Sequence, residues 1–516
     1  MTEEIPGAVT RDEVESLQVN EAQSLGSRAR SATWLALAGQ VMKGVVQIIS
    51  VIVLARLLSP SDFGLYGMVM ATIGIGFVFK DVGLGAAAIQ AKRLSHAQQS
   101  NLWWINTVLG TLVACAVAAS APLVTIFLKN DAVLPLTLAL APTFILNGMT
   151  AQYSASLVRG LRYGAQMIAD IPAAAVGLVA CIIAALGGLG PWALVIQSLV
   201  SGTWSLVASA VLAGWLPARW VRGQSMRELL KFGASVFGNA LIFYIANNIA
   251  TALIGRSFGA ADTGQLTRAN QLVNTPIGSL SAPFASLSLS VLSKVKDDTD
   301  ELLRFALVGQ QMLAYAVTFV CGVFIAAGGP IVVIALGEQW SGAASLVKLV
   351  ALGTALGFLP AAHGWLFNSQ GRPDAILQFN LVGATLRTVG IVIAVQFSVE
   401  AVLWWNAALT GVLCPLTFWW LHRATGLRVR ELQLGALRVG LAGAFAVAAS
   451  ELGAGVLGLD VSPWVDISLR SSLFTAACVG TLIIPAIRRD VVGGAHLVLG
   501  RRRVTNRWKD QGCDLR

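Results

Sequence analysis

Residues 55–64 read "ARLLSPSDFG" and residues 255–264 read "GRSFGAADTG". Both fit R-x5-D-x-G, and Arg56 and Arg256, Asp62 and Asp262, and Gly64 and Gly264 each stand 200 positions apart. A short connector written twice at that interval predicts a duplicated architecture. The sequence around each copy says what is connected. The 516-residue chain is 56% hydrophobic and 12% charged, with a mean hydropathy of +0.71. Soluble domains carry about 25% charged residues, and a chain this apolar has too few polar groups to cover a soluble surface. The composition therefore predicts a multi-spanning membrane protein. The 52 glycines against 5 tyrosines suit close helix packing in lipid.

At about 20 residues per crossing, fourteen apolar segments can be drawn: 31–56, 62–90, 98–128, 133–158, 163–187, 190–215, 229–255, 262–292, 302–336, 341–369, 373–397, 400–422, 432–457 and 464–487. With the N-terminus inside, twenty-seven of the 36 Lys and Arg fall in cytosolic segments and three (Arg56, Lys129 and Arg256) in outer connectors. This positive-inside bias predicts that both ends are cytosolic. Residues 1–28 form a polar, acidic tail without the basic and apolar pattern of a signal peptide. Residues 488–516 form a basic tail whose Arg501, Arg502 and Arg503 suit an anchor on anionic lipid.

The repeat then acquires a handedness. Each copy of the connector joins the first two helices of a six-helix half. Helices 1 and 7 both start inside, because six is even, so the halves form a parallel repeat about an axis along the membrane normal. Arg closes the outward helix, Asp caps the returning one, and Gly permits a tight approach. The expected organisation is an all-α integral membrane fold: an N-lobe at 29–215 (helices 1–6), a cytosolic linker at 216–228, a C-lobe at 229–424 (helices 7–12), and helices 13 and 14 within 425–487. Outer connectors are all under ten residues, which leaves no extracytoplasmic domain.

The stretches "ARLLSPSDFGLY" (55–66), "DVGLGAAAIQ" (81–90), "GGLGPWALVIQ" (187–197) and "NSQGRPD" (368–374) resemble the polysaccharide-transporter branch of the multidrug/oligosaccharidyl-lipid/polysaccharide flippase superfamily. The resemblance runs from about 30 to 425. It implies two six-helix lobes around a cavity that opens alternately to each side. The implied substrate is an isoprenoid-diphosphate-linked oligosaccharide, flipped to the outer leaflet of a bacterial plasma membrane for surface polysaccharide such as exopolysaccharide, capsule or lipopolysaccharide. The implied partners are that lipid-linked oligosaccharide, the membrane lipids, and the polymerase and glycosyltransferases of the pathway. Many relatives carry an acidic residue where this chain has Ala250, in "NNIATALIGR", which leaves a helix 7 carboxylate out of any ion coupling.

Apart from those counted with the connectors at span ends, six cations fall inside spans: Lys43, Lys80, Arg268, Lys348, Arg387 and Arg470. A charge at mid-membrane costs roughly 2.5–3.5 kcal/mol on insertion scales, so it serves a site or meets a partner. Lys43 lies thirteen residues from both Arg30 and Arg56, and Arg387 lies fifteen from Arg372 and thirteen from Glu400. Each is therefore roughly 20 Å from an interface at 1.5 Å per residue. Gln40, Lys43, Gln47 and Ser50 share one side of helix 1, and Gly264, Arg268, Gln271 and Thr275 one side of helix 8. Tyr244, Asn248 and Thr251 align on helix 7, with Asn247 the repeat mate of Gln47. Lys43, Arg387, Arg268, Gln47, Gln40, Asn247 and Asn248 are the candidate ligands of a diphosphate and its sugars, because Arg offers forked bonds to phosphate and Lys a point charge. The bland alternative is structural pairing with Asp81, Asp170, Glu451 or Asp466, and it is favoured for Arg470. His363 reads as a satisfied interior histidine.

No Walker loop is present, and no cofactor or nucleic-acid partner is expected. None of the six cysteines forms a C-x-x-C pair, so no metal site or disulfide framework follows. A cation-coupled multidrug exporter of the same superfamily would favour acidic spans. A membrane polymerase or ligase would need an outer loop for its acid and base groups. A lipid II-type flippase stays open.

Overall fold

The computed structural model describes residues 42–498 and Gly39, apart from 82–83, 92–93, 223–226, 293–294, 296–297, 371–372 and 458–461. The acidic tail, Gln40, the "RRR" cluster and Cys513 lie outside the described residues. All regular structure within them is helical. In chain order the helices are α1 (42–57), α2 (Pro60–Ile73), α3 (Gly76–Asp81), α4 (Leu84–Gln90), α5 (His96–Leu128), α6 (Val133–Leu140), α7 (Pro142–Arg159), α8 (Tyr163–Leu186) and α9 (Trp192–Ala213). Then come α10 (Arg227–Phe258), α11 (Ala260–Leu292), α12 (Thr299–Ala335), α13 (Ala343–Phe358), α14 (Ala362–Ser369), α15 (Pro373–Ala394), α16 (Val399–Thr425), α17 (Arg430–Leu457), α18 (Pro463–Thr481) and α19 (Pro485–Val498).

Each of the fourteen apolar segments carries helix, yet they are unequal. Nine helices among the described residues are long and apolar enough to cross a membrane, counting α6–α7 and α13–α14 as single crossings, and α18 with α19 makes a tenth if their 99° bend is one span. Of the remaining segments, α10 and α11 fall short over their described length, while α1 is described only from residue 42 and the second segment only outside 82–83. The second segment turns at residues 74–75, between α2 and α3, and α10 and α11 carry the polar stripes that lower their hydropathy.

The chain divides into two compact units. The first contains residues up to 50, 73–126 and 130–241. In it α8 and α9 form a hairpin, turned by Gly188 and Gly190 at positive φ and packed closely where Gly177 faces Ser201. Helices α5 and α7 cross glycine on glycine: a Cβ on Gly148 would lie 2.6 Å from Asn106 O, and one on Gly110 would lie 2.7 Å from Phe144 O. The start of the inter-lobe linker is strapped to α5. Asn101 donates to Val221 O and accepts from Val221 N, at 2.8 and 3.0 Å. Trp104 Nε1 donates to Ala218 O at 2.9 Å.

The second unit contains residues 51–72, 127–129 and everything from 242. The two connectors of the opening motif meet here. A Cβ on Gly64 would lie 1.6 Å from Ala260 O, and one on Gly264 would lie 1.8 Å from Pro60 O. Pro60 and Ala260 are again 200 positions apart, so the contact is reciprocal in the manner of a two-fold interface. Tips that meet lie on one side of the membrane, as a parallel repeat requires; an inverted repeat would put them on opposite sides. The arginines extend the reciprocity. Arg56 Nη2 donates to Ile334 O, at the end of α12. Arg256 Nη1 donates to Phe127 O, at the end of α5, and its guanidinium stands 5.0 Å from the Phe127 ring centre. Each arginine, in the last turn of its own helix, therefore also caps the third helix of the opposite half. The aspartate also differs from expectation. Ser59 is the cap of α2, and Asp62 reaches back to accept from Ser59 N and Ser59 Oγ at 2.9 and 2.7 Å, a capping box. Gly259, at φ +89°, takes the place of Ser59 in the second copy and has no side chain to cap with.

Helices α17 and α18 dock on α12. The buried ring of Phe474 occupies the place of a Gly322 side chain, 2.1 Å from where its Cβ would sit. Farther along the same helices, Glu451 accepts from both Lys348 Nζ at 3.2 Å and Arg470 Nη1 at 3.0 Å, and Arg470 Nε binds Asp466 at 2.6 Å. Glu451→Ala leaves two cations short of a partner and should destabilise by about 1–2 kcal/mol, intermediate between exposed and buried pairs. The readout is a lowered melting temperature in detergent, with Glu451→Asp closer to the parent.

Candidate substrate site

Helix α1 has two exposed faces. Met42, Val45 and Ile49 occupy one, and Lys43 and Gln47 lie roughly opposite at 3.6 residues per turn. Lipid suits the first face. The second carries a charge at mid-depth, so it fits an aqueous interior. Gly39 seats α1 against the Met167 side chain of α8. One turn farther along both helices, Lys43 Nζ stands 3.7 Å from Asp170 Oδ2, with the side chains 55% and 31% exposed. Asp170 Oδ1 also accepts from Gln166 Nε2 at 3.1 Å. Lys43 thus has the structural partner that the bland reading required, in a pair that is long and open.

Arg387 lies in the second unit, on α15, half-buried, and its Nε has no hydrogen-bond partner among the described residues. Arg268 is placed differently from a ligand-binding residue. It is 3% exposed, its guanidinium lies 3.3 Å from the centre of the Phe63 ring, and Nη1 donates to Gln271 at 2.6 Å. In this conformation it packs the crossing of the two connectors. Asn248 Nδ2 donates to Tyr244 O on its own helix, while Asn247 is exposed. Tyr244 is a clamp: its hydroxyl donates to Met70 O at 2.7 Å. His363 Nδ1 donates to Pro360 O at 2.6 Å, as an interior histidine would. Lys348 and Arg470 belong to the Glu451 network.

Several features had no clear signal in the sequence. Trp340, fully buried, donates to Ala55 O at 2.8 Å, and Gln339 donates to the same oxygen at 2.7 Å, bracing the first connector. Asn106 and Gln152 are buried with no side-chain partner among the described residues. Arg438 forms a forked pair with Asp490 of α19 at 2.9 and 3.2 Å. Burial raises the Asp490 carboxyl above the usual range, and Arg438 pulls it back. An apolar cavity of about 520 Å³ opens among α11, α12, α17, α18 and α19, lined by Leu280, Phe319, Val439, Phe474 and Val491 among others.

Residues 53–345, more than half the chain, match the family described as polysaccharide biosynthesis protein. The chain belongs to that family. Curated relatives of this polysaccharide biosynthesis protein include the lipopolysaccharide biosynthesis protein WzxC of Escherichia coli K12, 24% identical over 71% of this chain and 75% of the relative. The teichuronic acid biosynthesis protein TuaB of Bacillus subtilis 168 is 23% identical over 73% and 78%. The succinoglycan biosynthesis transport protein ExoT of Rhizobium meliloti 1021 is 21% identical over 70% and 73%. Among solved structures, the lipid II flippase MurJ in an inward closed conformation aligns over 89% of this chain and 99% of its own, with a TM-score of 0.69 and 11% identity. An inward-facing transporter of the multidrug resistance MATE family gives 0.53 over 75% and 94%, at 15% identity. The family member described here therefore shares the fold of these two structures and is a multi-pass membrane protein.

Proposed function

We propose that this chain flips an isoprenoid-diphosphate-linked oligosaccharide across a bacterial plasma membrane by alternating access, for the assembly of a surface polysaccharide. The observation that carries the reading is the second exposed face of α1, which presents a lysine ammonium at mid-membrane opposite a face suited to lipid. An anionic headgroup is the chemistry such a face accepts. Arg387, whose Nε has no hydrogen-bond partner among the described residues, is a further forked donor suited to phosphate. The apolar cavity beside α18 has the chemistry to take part of an isoprenoid chain. The names of the three relatives (lipopolysaccharide, teichuronic acid, succinoglycan) support a surface glycan as the product. Deleting the gene should cause a lipid-linked glycan to accumulate, detectable by mass spectrometry of the lipid extract. An unchanged lipid profile together with intact surface polysaccharide overturns the reading.

In the proposed orientation both ends of the chain are cytosolic and the connector at Lys129 is outside. On intact cells, an impermeant thiol reagent should label an Asn130→Cys variant and leave Cys513 untouched. The opposite pattern reverses the orientation.

A further inference from the structure

We infer that Asp170 is a positioning counter-ion: it holds the Lys43 ammonium in the unloaded protein and yields it to the substrate diphosphate, so that loading and release exchange one anion for another. This rests on the flippase reading above. The geometry separates this pair from the structural ones. Arg438–Asp490 and Arg470–Asp466 close at 2.9 and 2.6 Å, within or below the usual range of about 2.7–2.9 Å for charged hydrogen bonds. Lys43–Asp170 stands at 3.7 Å with the lysine side chain more than half exposed. A loose, wet pair at mid-depth stabilises the fold little and leaves the ammonium reachable.

The surroundings suit an exchange. Gly39 against Met167 fixes α1 beside α8, so Lys43 keeps its place when its partner changes. Asp170 retains the Gln166 amide at 3.1 Å and its own solvent exposure after it releases the lysine. No buried charge is stranded in either state. A diphosphate carries more negative charge than one carboxylate and displaces it. When the lipid leaves on the other side, Asp170 closes on Lys43 again and favours departure. A neutral lipid has nothing with which to displace Asp170, so the pair also selects for an anionic headgroup.

The test uses the purified full-length chain and undecaprenyl diphosphate as probe. Lys43→Gln should weaken binding. Asp170→Asn and Asp170→Ser should tighten it about fivefold, equivalent to about 1 kcal/mol, the upper end for a partly exposed ion pair. Asp170→Glu should resemble the parent. In the Lys43→Gln background Asp170→Asn should change nothing further, because its effect passes through the lysine. In proteoliposomes Asp170→Asn should lower both the half-saturating probe concentration and the turnover, a split that loss of packing does not produce. Unchanged or weakened binding in the Asp170 variants, or equal tightening with and without Lys43, overturns the exchange. The glycan profile of the deletion strain reads the flippase function separately, whatever these affinities are.

Discussion

Gly64→Ala and Gly264→Ala should each abolish glycan export while leaving the protein in the membrane. At each position a Cβ would fall within 1.8 Å of a backbone carbonyl oxygen on the opposite connector. A backbone oxygen cannot rotate aside as a side chain does, so the connectors must separate. Forced overpacking costs typically 1–3 kcal/mol, and with both backbones displaced about 3 kcal/mol is the appropriate end. That shifts the equilibrium between closed and open connectors by more than about a hundredfold. Met68 reports the change, since it is fully buried against Gly255 beneath the crossing. A Met68→Cys probe should resist an impermeant thiol reagent in the parent and react with it in either alanine variant. Protection of the probe in both variants would mean that the tips do not need to touch.

Arg387→Gln and Lys43→Gln should also stop export at parental membrane levels, through a different cause. Each removes a donor suited to a doubly anionic diphosphate. A charge-assisted hydrogen bond contributes about 1.5–3 kcal/mol, so each variant should lose about 10- to 150-fold in transport. Arg387→Lys should retain part of the activity, because the charge remains while the fork is lost. Surface polysaccharide in a deletion strain expressing each variant is the readout. Export at the parental rate by both neutral variants would reduce these cations to structural roles.

The parallel repeat was legible in the sequence because two independent signals agreed: the spacing of Arg56, Asp62 and Gly64 against their mates, and the side on which the basic residues fall. Tight packing at Gly64 and Gly264 was legible for the same reason. What the arginines do was not, because their acceptors are backbone oxygens at the ends of distant helices, and a backbone oxygen leaves no mark in a sequence. The polar side of α1 could be read from its periodicity. That Asp170, among four candidate carboxylates, faces Lys43 could not, since it depends on how α1 lies along α8. The surroundings of Arg268 were hidden for a related reason. Helical spacing puts it in a polar stripe, but the ring that covers it is Phe63, on a helix far away in the chain. The basic tail after 487 likewise concealed α19, whose single acidic residue meets Arg438.

The reciprocal caps also bear on how the protein is made. Arg56 and its acceptor Ile334 are separated by 278 residues. At about 5–20 residues per second of synthesis, the first connector stands without that acceptor for roughly 14 to 56 s after it emerges. Arg256 is in the opposite position, since Phe127 is already in place when it arrives. Two equivalent elements of one fold thus have unequal biographies at the ribosome: the first is made long before its acceptor, and the second is made after it.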